Sequence, residues 1–281
     1  MRMPAARRIW LCADDYGIAP GVNEAIRRLI AQRRINATSV MVVAPAFTCE
    51  AAAALTALNA SHKRARIGLH VTLTAPFAPV SEGYRPLRAH NFPPIGEMMR
   101  LATARRLSAE RLTGEIGSQL RLFVDAFGRP PDFLDGHQHV HLLPQVRDAL
   151  LKVAREAAPT AWVRQCGRPR GARGLRDRKA LLLDMMSVRF RSKAARLGVK
   201  TNPAFAGSYD FVAKADYAAI FPRFLAGMPD GGLIMCHPGL VDDALKRLDP
   251  LTDLRERELS YFESDAFTRL LGERGVTLAA A

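Results

Sequence analysis

RIWLCADDYGIAPGVNEAIRRLIAQ, from Arg8 to Gln32, decides how this chain folds. Its first part, RIWLCAD, is a short apolar run that reads as a buried strand ending at Asp14. Its second part, GVNEAIRRLIAQ, places Val22, Ala25, Ile26, Leu29 and Ile30 on one helical stripe. Pro20 and Gly21 mark the start of that helix, and Asn36 follows its end. A strand that leads straight into a helix is a β/α unit.

The rest of the chain repeats the unit. Further strands are expected at ATSVMVVA (37–44), RIGLHVTL (66–73), DFLDG (132–136), AWVRQ (161–165), GGLIMCH (231–237) and VTLA (276–279), with FAGSYDF (205–211) weakly extended. Helices are expected around Glu50–Leu58, Ser108–Phe127, Pro144–Ala157, Leu175–Leu197, Ala215–Leu225 and Thr252–Leu271, with Ser108 as an N-cap. Thr74–Gly96 reads as one long loop studded with Pro and Gly, and 167–179 as a Gly/Arg-rich loop. Seven or eight such units imply the α/β class: one domain over residues 1–281, a parallel sheet most simply closed into a barrel.

Composition narrows the function classes. The 281 residues carry a net charge of +14, with 48% hydrophobic and 24% charged residues. Heavy use of Arg on solvated helix faces accounts for the charge. No RNP-like aromatic motif, zinc finger or basic heptad accompanies it, so no nucleic-acid partner is expected. Cys12, Cys49, Cys166 and Cys236 form no CxxC pair, and Cys12 and Cys236 lie in apolar runs. Reduced, buried thiols point to the cytoplasm. Ile9–Ala13 is too short for a signal sequence, and no apolar run approaches the roughly 20 residues of a membrane span.

In a β/α barrel the active site lies at the C-terminal ends of the strands. There this chain places Asp14 and Asp15, His70, Asp135 and His137, Arg164, and His237. Each alone has an ordinary explanation: a turn for the Asp pair, a satisfied core histidine for His70, a salt bridge for Arg164. Their shared place at one rim argues for metal-assisted hydrolysis. One carboxylate and two imidazoles leave open positions on a divalent cation. A second carboxylate takes a proton from water, an arginine keeps it ionised, and a further histidine serves the leaving group.

ADDYG (13–17), APGVNEAI (19–26), GLHVTL (68–73), LDGHQHVH (134–141) and MCHPG (235–239), in that order, resemble the YdjC-like carbohydrate deacetylases, which include bacterial chitooligosaccharide deacetylases and hopanoid-associated deacetylases. The resemblance implies a distorted TIM-like (β/α) barrel that removes the N-acetyl group of an N-acetylglucosamine-containing carbohydrate, chitooligosaccharide-like or glycolipid-linked. It implies a divalent cation, usually magnesium in the family, held by Asp15, His70 and His137. Asp14 would be the base, His237 the acid, and Arg164 the partner of the base. Two imidazoles suit zinc or another transition metal better than magnesium, which prefers oxygen ligands.

Asn23, Asp135, His139 and His141 are expected to support those ligands or touch substrate. If 137–141 stays extended, its three histidines share a face roughly 7 Å apart and cannot all meet one ion. The segment 168–196 departs from a plain chitooligosaccharide deacetylase: its arginines, leucines and methionines suit an ordinary amphipathic helix, or peripheral contact with an anionic membrane. A homodimer is compatible with the resemblance. The alternatives are a hydrolase of another amide or ester at the same site, and an inactive basic protein that binds nucleic acid or membrane.

Overall fold

The strand read from RIWLCAD is an interior strand of a curled parallel sheet. The computed structural model describes residues 6–60, 63–169, 178–209 and 215–281. Most of the expected loop 167–179 and the end of FAGSYDF lie outside the described residues. In chain order the first elements are β1 (Arg7–Tyr16), α1 (Pro20–Ala31), β2 (Ala37–Val40), α2 (Cys49–Ala60), β3 (Arg66–Val71), α3 (Ile95–Thr103) and α4 (Ala109–Phe127). Then come β4 (Phe133–Gly136), a 3-10 turn (His137–Leu142), α5 (Val146–Ala157), β5 (Trp162–Val163) and α6 (Arg178–Arg196). The last are β6 (Phe205–Ala206), α7 (Tyr217–Phe224), β7 (Leu233–Cys236), α8 (Asp243–Leu248), α9 (Asp253–Glu263), α10 (Asp265–Glu273) and β8 (Val276–Leu278).

The sheet order is β5-β4-β3-β2-β1-β7-β6, with β8 also on β1. All pairings are parallel. Ile9, Leu11, Cys12 and Ala13 of β1 are wholly buried, as a strand covered on both faces must be. The sheet curls until its edges approach. Val163 of β5 bridges to Thr201, and the Phe205 N–H donates to the Gly167 carbonyl. The result is a distorted TIM-like barrel, as expected. Gly68 lets β3 and β4 approach: a Cβ there would sit 2.4 Å from the Phe133 ring.

The helices follow local signals. Pro20 opens α1, whose buried face is the predicted stripe plus Asn23. The Ser108 hydroxyl accepts from the Arg111 N–H at the start of α4, and Gly128, at φ 65°, ends it. Three expectations change. The expected helix Thr252–Leu271 is two helices, because Ser264 breaks it and caps α10 through the Phe267 N–H. The long loop ends in α3, one residue before Gly96. That loop also has a small core of its own: Phe77, Tyr84 and Phe92 are buried, and buried Glu115 of α4 accepts from the Val80 and Ser81 N–H groups. Among the described residues no helix is long and apolar enough to cross a membrane.

Candidate active site

Consecutive residues of a strand point to opposite faces, so Asp14 and Asp15 should not share a site. The turn out of β1 resolves this. Asp15 adopts φ 69°, a left-handed conformation that Asp tolerates better than most residues. Gly17 follows at φ 103°, where a Cβ would sit 2.8 Å from the Met41 carbonyl oxygen. Both carboxylates are 1% exposed and both line one cleft of about 430 Å3 at the strand ends. His70, His137 and His237 line the same cleft.

Asp14 is held by Arg164, which follows β5. Two guanidinium nitrogens donate to its two oxygens at 2.6 and 2.7 Å. The Ser39 hydroxyl of β2 donates to it at 3.0 Å. Burial opposes an ionised Asp14, yet the Arg164 charge outweighs burial and holds the carboxyl below the usual range. Arg164 itself is wholly buried, and its charge is also met by Asp135 at 2.6 Å.

Asp15, His70 and His137 offer three ligand atoms within 4.8 Å of one another. His137 Nδ1 lies 3.0 Å from Asp15 Oδ1, and His70 Nε2 lies 3.4 Å from the same oxygen. Ligand atoms about 2.1 Å from a common ion sit roughly 3.0–3.4 Å apart for angles from 90° to tetrahedral, so the spacing fits a cation. The far nitrogen of His70 faces the Asp135 carboxylate at 2.6 Å. An ionised carboxylate only accepts, which assigns the His70 proton to Nδ1 and leaves Nε2 toward Asp15. This carboxylate–histidine pairing is the usual backing of a metal-bound imidazole.

Burial works against a charged His70, but Asp135 and Asp15 overcome it and raise the ring to about 10. A cation at this place would displace the second proton, the one on Nε2, and leave the Nδ1 proton donated to Asp135. Cys12, Asp14 and Asp135 form a second tight group. It cannot take an ion, because the Arg164 guanidinium already reaches Cys12, Asp14 and Asp135 at 3.1, 2.7 and 2.6 Å.

The three histidines of HQHVH diverge, because 137–142 is not extended. Gln138 and His139 adopt φ of 53° and 59°, and the segment coils as a 3-10 turn. His137 alone joins Asp15. Phe77 of the long loop packs edge-on against its ring, 5.9 Å between centroids. His141 is wholly buried, with Nε2 3.0 Å from the Arg164 carbonyl oxygen. Burial lowers it to about 4, so it is neutral and braces the arginine strand. His139 lines the cleft against Phe205, with Nδ1 3.7 Å from Cys166 Sγ. Asn23 is not brought to the cleft. Its carboxamide accepts from the Gly17 N–H at 2.6 Å and donates to the Ala46 carbonyl, so it staples the Asp15–Gly17 turn.

His237 follows β7 and lines the cleft with the three ligand candidates. Burial lowers it to about 4, against the upward pull of Asp15 and Asp14. Its backbone N–H donates to Glu258 at 2.6 Å, and Glu258 also accepts from the Tyr209 hydroxyl at 2.8 Å. Glu258, Arg255, Asp249 and Ser39 were not anticipated. A usable signal existed: Arg255 and Glu258 share the helical stripe of Leu259 and Phe262, where a core helix would carry apolar residues.

Glu258 carries a pH prediction. Burial pushes it from its ordinary 4.5 up to about 7, although the His237 N–H and the Tyr209 hydroxyl pull the other way. The folded chain therefore holds this proton more tightly than the unfolded chain. Stability from this group is complete below 4.5 and is lost as pH rises to about 7. Thermal unfolding at about pH 5 and about pH 8 should show Glu258→Gln gaining on the native protein by up to a few kcal/mol at the higher pH. An equal difference at both values removes the assignment.

A model of the YdjC-like protein family matches residues 8–273. The chain is 27% identical over 273 residues to a chitooligosaccharide deacetylase of Serratia marcescens, covering 95% of both. It is 26% identical over 279 residues to a protein of the same name from Citrobacter koseri, again covering 95% of both. Among solved structures, a putative cellobiose-phosphate cleavage protein from Enterococcus faecalis V583 matches 98% of each chain with a TM-score of 0.72 at 22% identity. A peptidoglycan N-acetylglucosamine deacetylase, Bc1960, matches with a TM-score of 0.51 at 10% identity, over 97% of this chain and 85% of that one. These last two are likenesses of fold. The five motifs, four of them at strand ends and one opening α1, and the family match over nearly the whole length agree: the chain belongs to the YdjC-like protein family.

Proposed function

We propose that this protein is a metal-dependent deacetylase that hydrolyses the N-acetyl group of an N-acetylglucosamine-containing substrate. One observation carries the reading. Asp15, His70 and His137 form a cation-sized group, and Asp14, clamped by Arg164, lines the same cleft as that group and His237. The relatives named chitooligosaccharide deacetylase support the same chemistry.

Asp15, His70 and His137 would hold a divalent cation, and their two imidazoles favour a transition metal. Such an ion, when bound, polarises the acetyl carbonyl and acidifies water. Asp14 is the base. Arg164 keeps it ionised, so it accepts the proton of the water whose oxygen adds to the acetyl carbon. Ser39 and Arg164 fix its two oxygens and leave little rotational freedom. His237 enters the cycle neutral. Negative charge on the reacting acetyl group would add to the pull of Asp14 and Asp15, so the ring takes up a proton, which replaces the one Asp14 removed from water, and passes it to the departing nitrogen. The C–N bond breaks, giving acetate and a free amino sugar.

The cleft walls bear on the substrate. Ile95 and Met99 of α3, Leu182, Leu183 and Met186 of α6, and Leu251 surround the polar floor. An oligosaccharide gains little from aliphatic walls, whereas the apolar tail of a glycolipid is desolvated by them. We therefore favour the glycolipid-linked substrate.

The test measures acetate released from N-acetyl-chitooligosaccharides and from an octyl N-acetylglucosaminide, before and after chelation and metal replacement. Release should stop on chelation and return with a divalent cation, and the octyl glycoside should show the lower KM. Release untouched by chelation would sink the metal. Release from esters but no acetylated sugar would move the function to another hydrolase class. A lower KM for the oligosaccharide would reverse the choice of tail.

A further inference from the structure

The two oxygens of Asp15 have different partners. Oδ1 faces His137 and His70. Oδ2 accepts from Arg255 Nη2 at 2.7 Å. Arg255 comes from α9, on the far side of the chain from β1, and is wholly buried. The same nitrogen reaches Asp249 at 2.6 Å, and Nε donates to the Leu251 carbonyl at 3.0 Å. The guanidinium is thus fixed from two sides before it meets Asp15.

We propose that Arg255 is the positioning residue of the Asp15 carboxylate: by holding Oδ2 it presents Oδ1 alone to the cation group. This rests on the function proposed above. A carboxylate with both oxygens free can chelate an ion with both, the mode that calcium accepts readily. Held by one oxygen, it becomes a single-point ligand and suits a smaller ion with a fixed geometry. The arrangement also explains a buried arginine that a packed apolar residue could replace at lower desolvation cost. Its neighbour one turn on, Glu258, holds the His237 backbone, so one face of α9 orients both a ligand candidate and the acid candidate.

Cobalt(II) is the probe, because its visible absorption reports ligand geometry and its binding is read without turnover. The native protein should bind one cobalt(II), and Asp15→Asn should lose it. Arg255→Met should bind about 10–100-fold more weakly, the usual cost of removing a group that orients a ligand. Arg255→Lys keeps the charge but loses the fork, so it should keep the fold and still show an altered spectrum and weaker binding. Asp249→Asn loosens the outer contact and should shift binding in the same direction. If the native protein binds no cobalt(II), the proposed function fails and this proposal with it. If it binds cobalt(II) and Arg255→Lys matches it in affinity and spectrum, only the positioning role is overturned.

Discussion

Asp14→Asn should lower kcat for acetate release by about 10²–10⁴-fold, the range for loss of a general base. The substitution keeps the shape, and its carboxamide oxygen can still accept from Arg164. What it loses is the capacity to take a proton. The Asp14 carboxylate is not part of the cation-sized group, so metal content should stay at the native level. Measuring kcat and bound metal together separates the base from the ligands. Native turnover in the variant would remove Asp14 from its role; loss of metal would place it among the ligands.

Arg164→Met should cost about 3–5 kcal/mol of stability in urea unfolding, because it leaves Asp14 and Asp135 buried without their cation. The deficit has a pH signature. In the native protein the depressed Asp14 stabilises the fold above its ordinary 3.8, and that contribution is lost as pH falls through its lower folded value. Without Arg164, burial pushes the Asp14 carboxyl up, and protonation relieves it. The gap between variant and native protein should therefore narrow as the solution is acidified. A cost under about 1 kcal/mol, with no pH dependence, would mean that the pair is not energetically joined.

The β/α alternation could be read from residue order because apolar runs and the Val22–Ile30 stripe are local patterns. So could the rim residues, since each ends a strand. The resemblance implied Arg164 as the partner of Asp14, but the three-way cluster that adds Asp135 could not be read. It depends on the curl that brings β5 and β1 to one cup, and a curl has no local signature. The fate of HQHVH depended on backbone angles: two residues with positive φ turn an alternating pattern into a coil and send its histidines to different neighbours. Arg255 was hidden by the ordinary reading of a charge-rich terminal helix as solvated. Six of its residues are in fact buried, and the two polar ones among them face the site. Asn23, expected to support the ligands or touch substrate, fixes the turn that carries Asp15.

The place of β1 has a consequence for synthesis. The Cys236 thiol of β7 donates to the Cys12 carbonyl, a contact between residues 224 apart. At roughly 5–20 residues per second, a ribosome delivers β7 about 10–45 s after β1. Throughout that interval the growing chain carries an apolar strand with one open edge, a template for pairing with the wrong partner. α9, with the two side chains that steady Asp15 and His237, emerges later still. A nascent chain of this protein thus keeps that edge open until β7 is made, and Arg255 and Glu258 reach the site only after it closes.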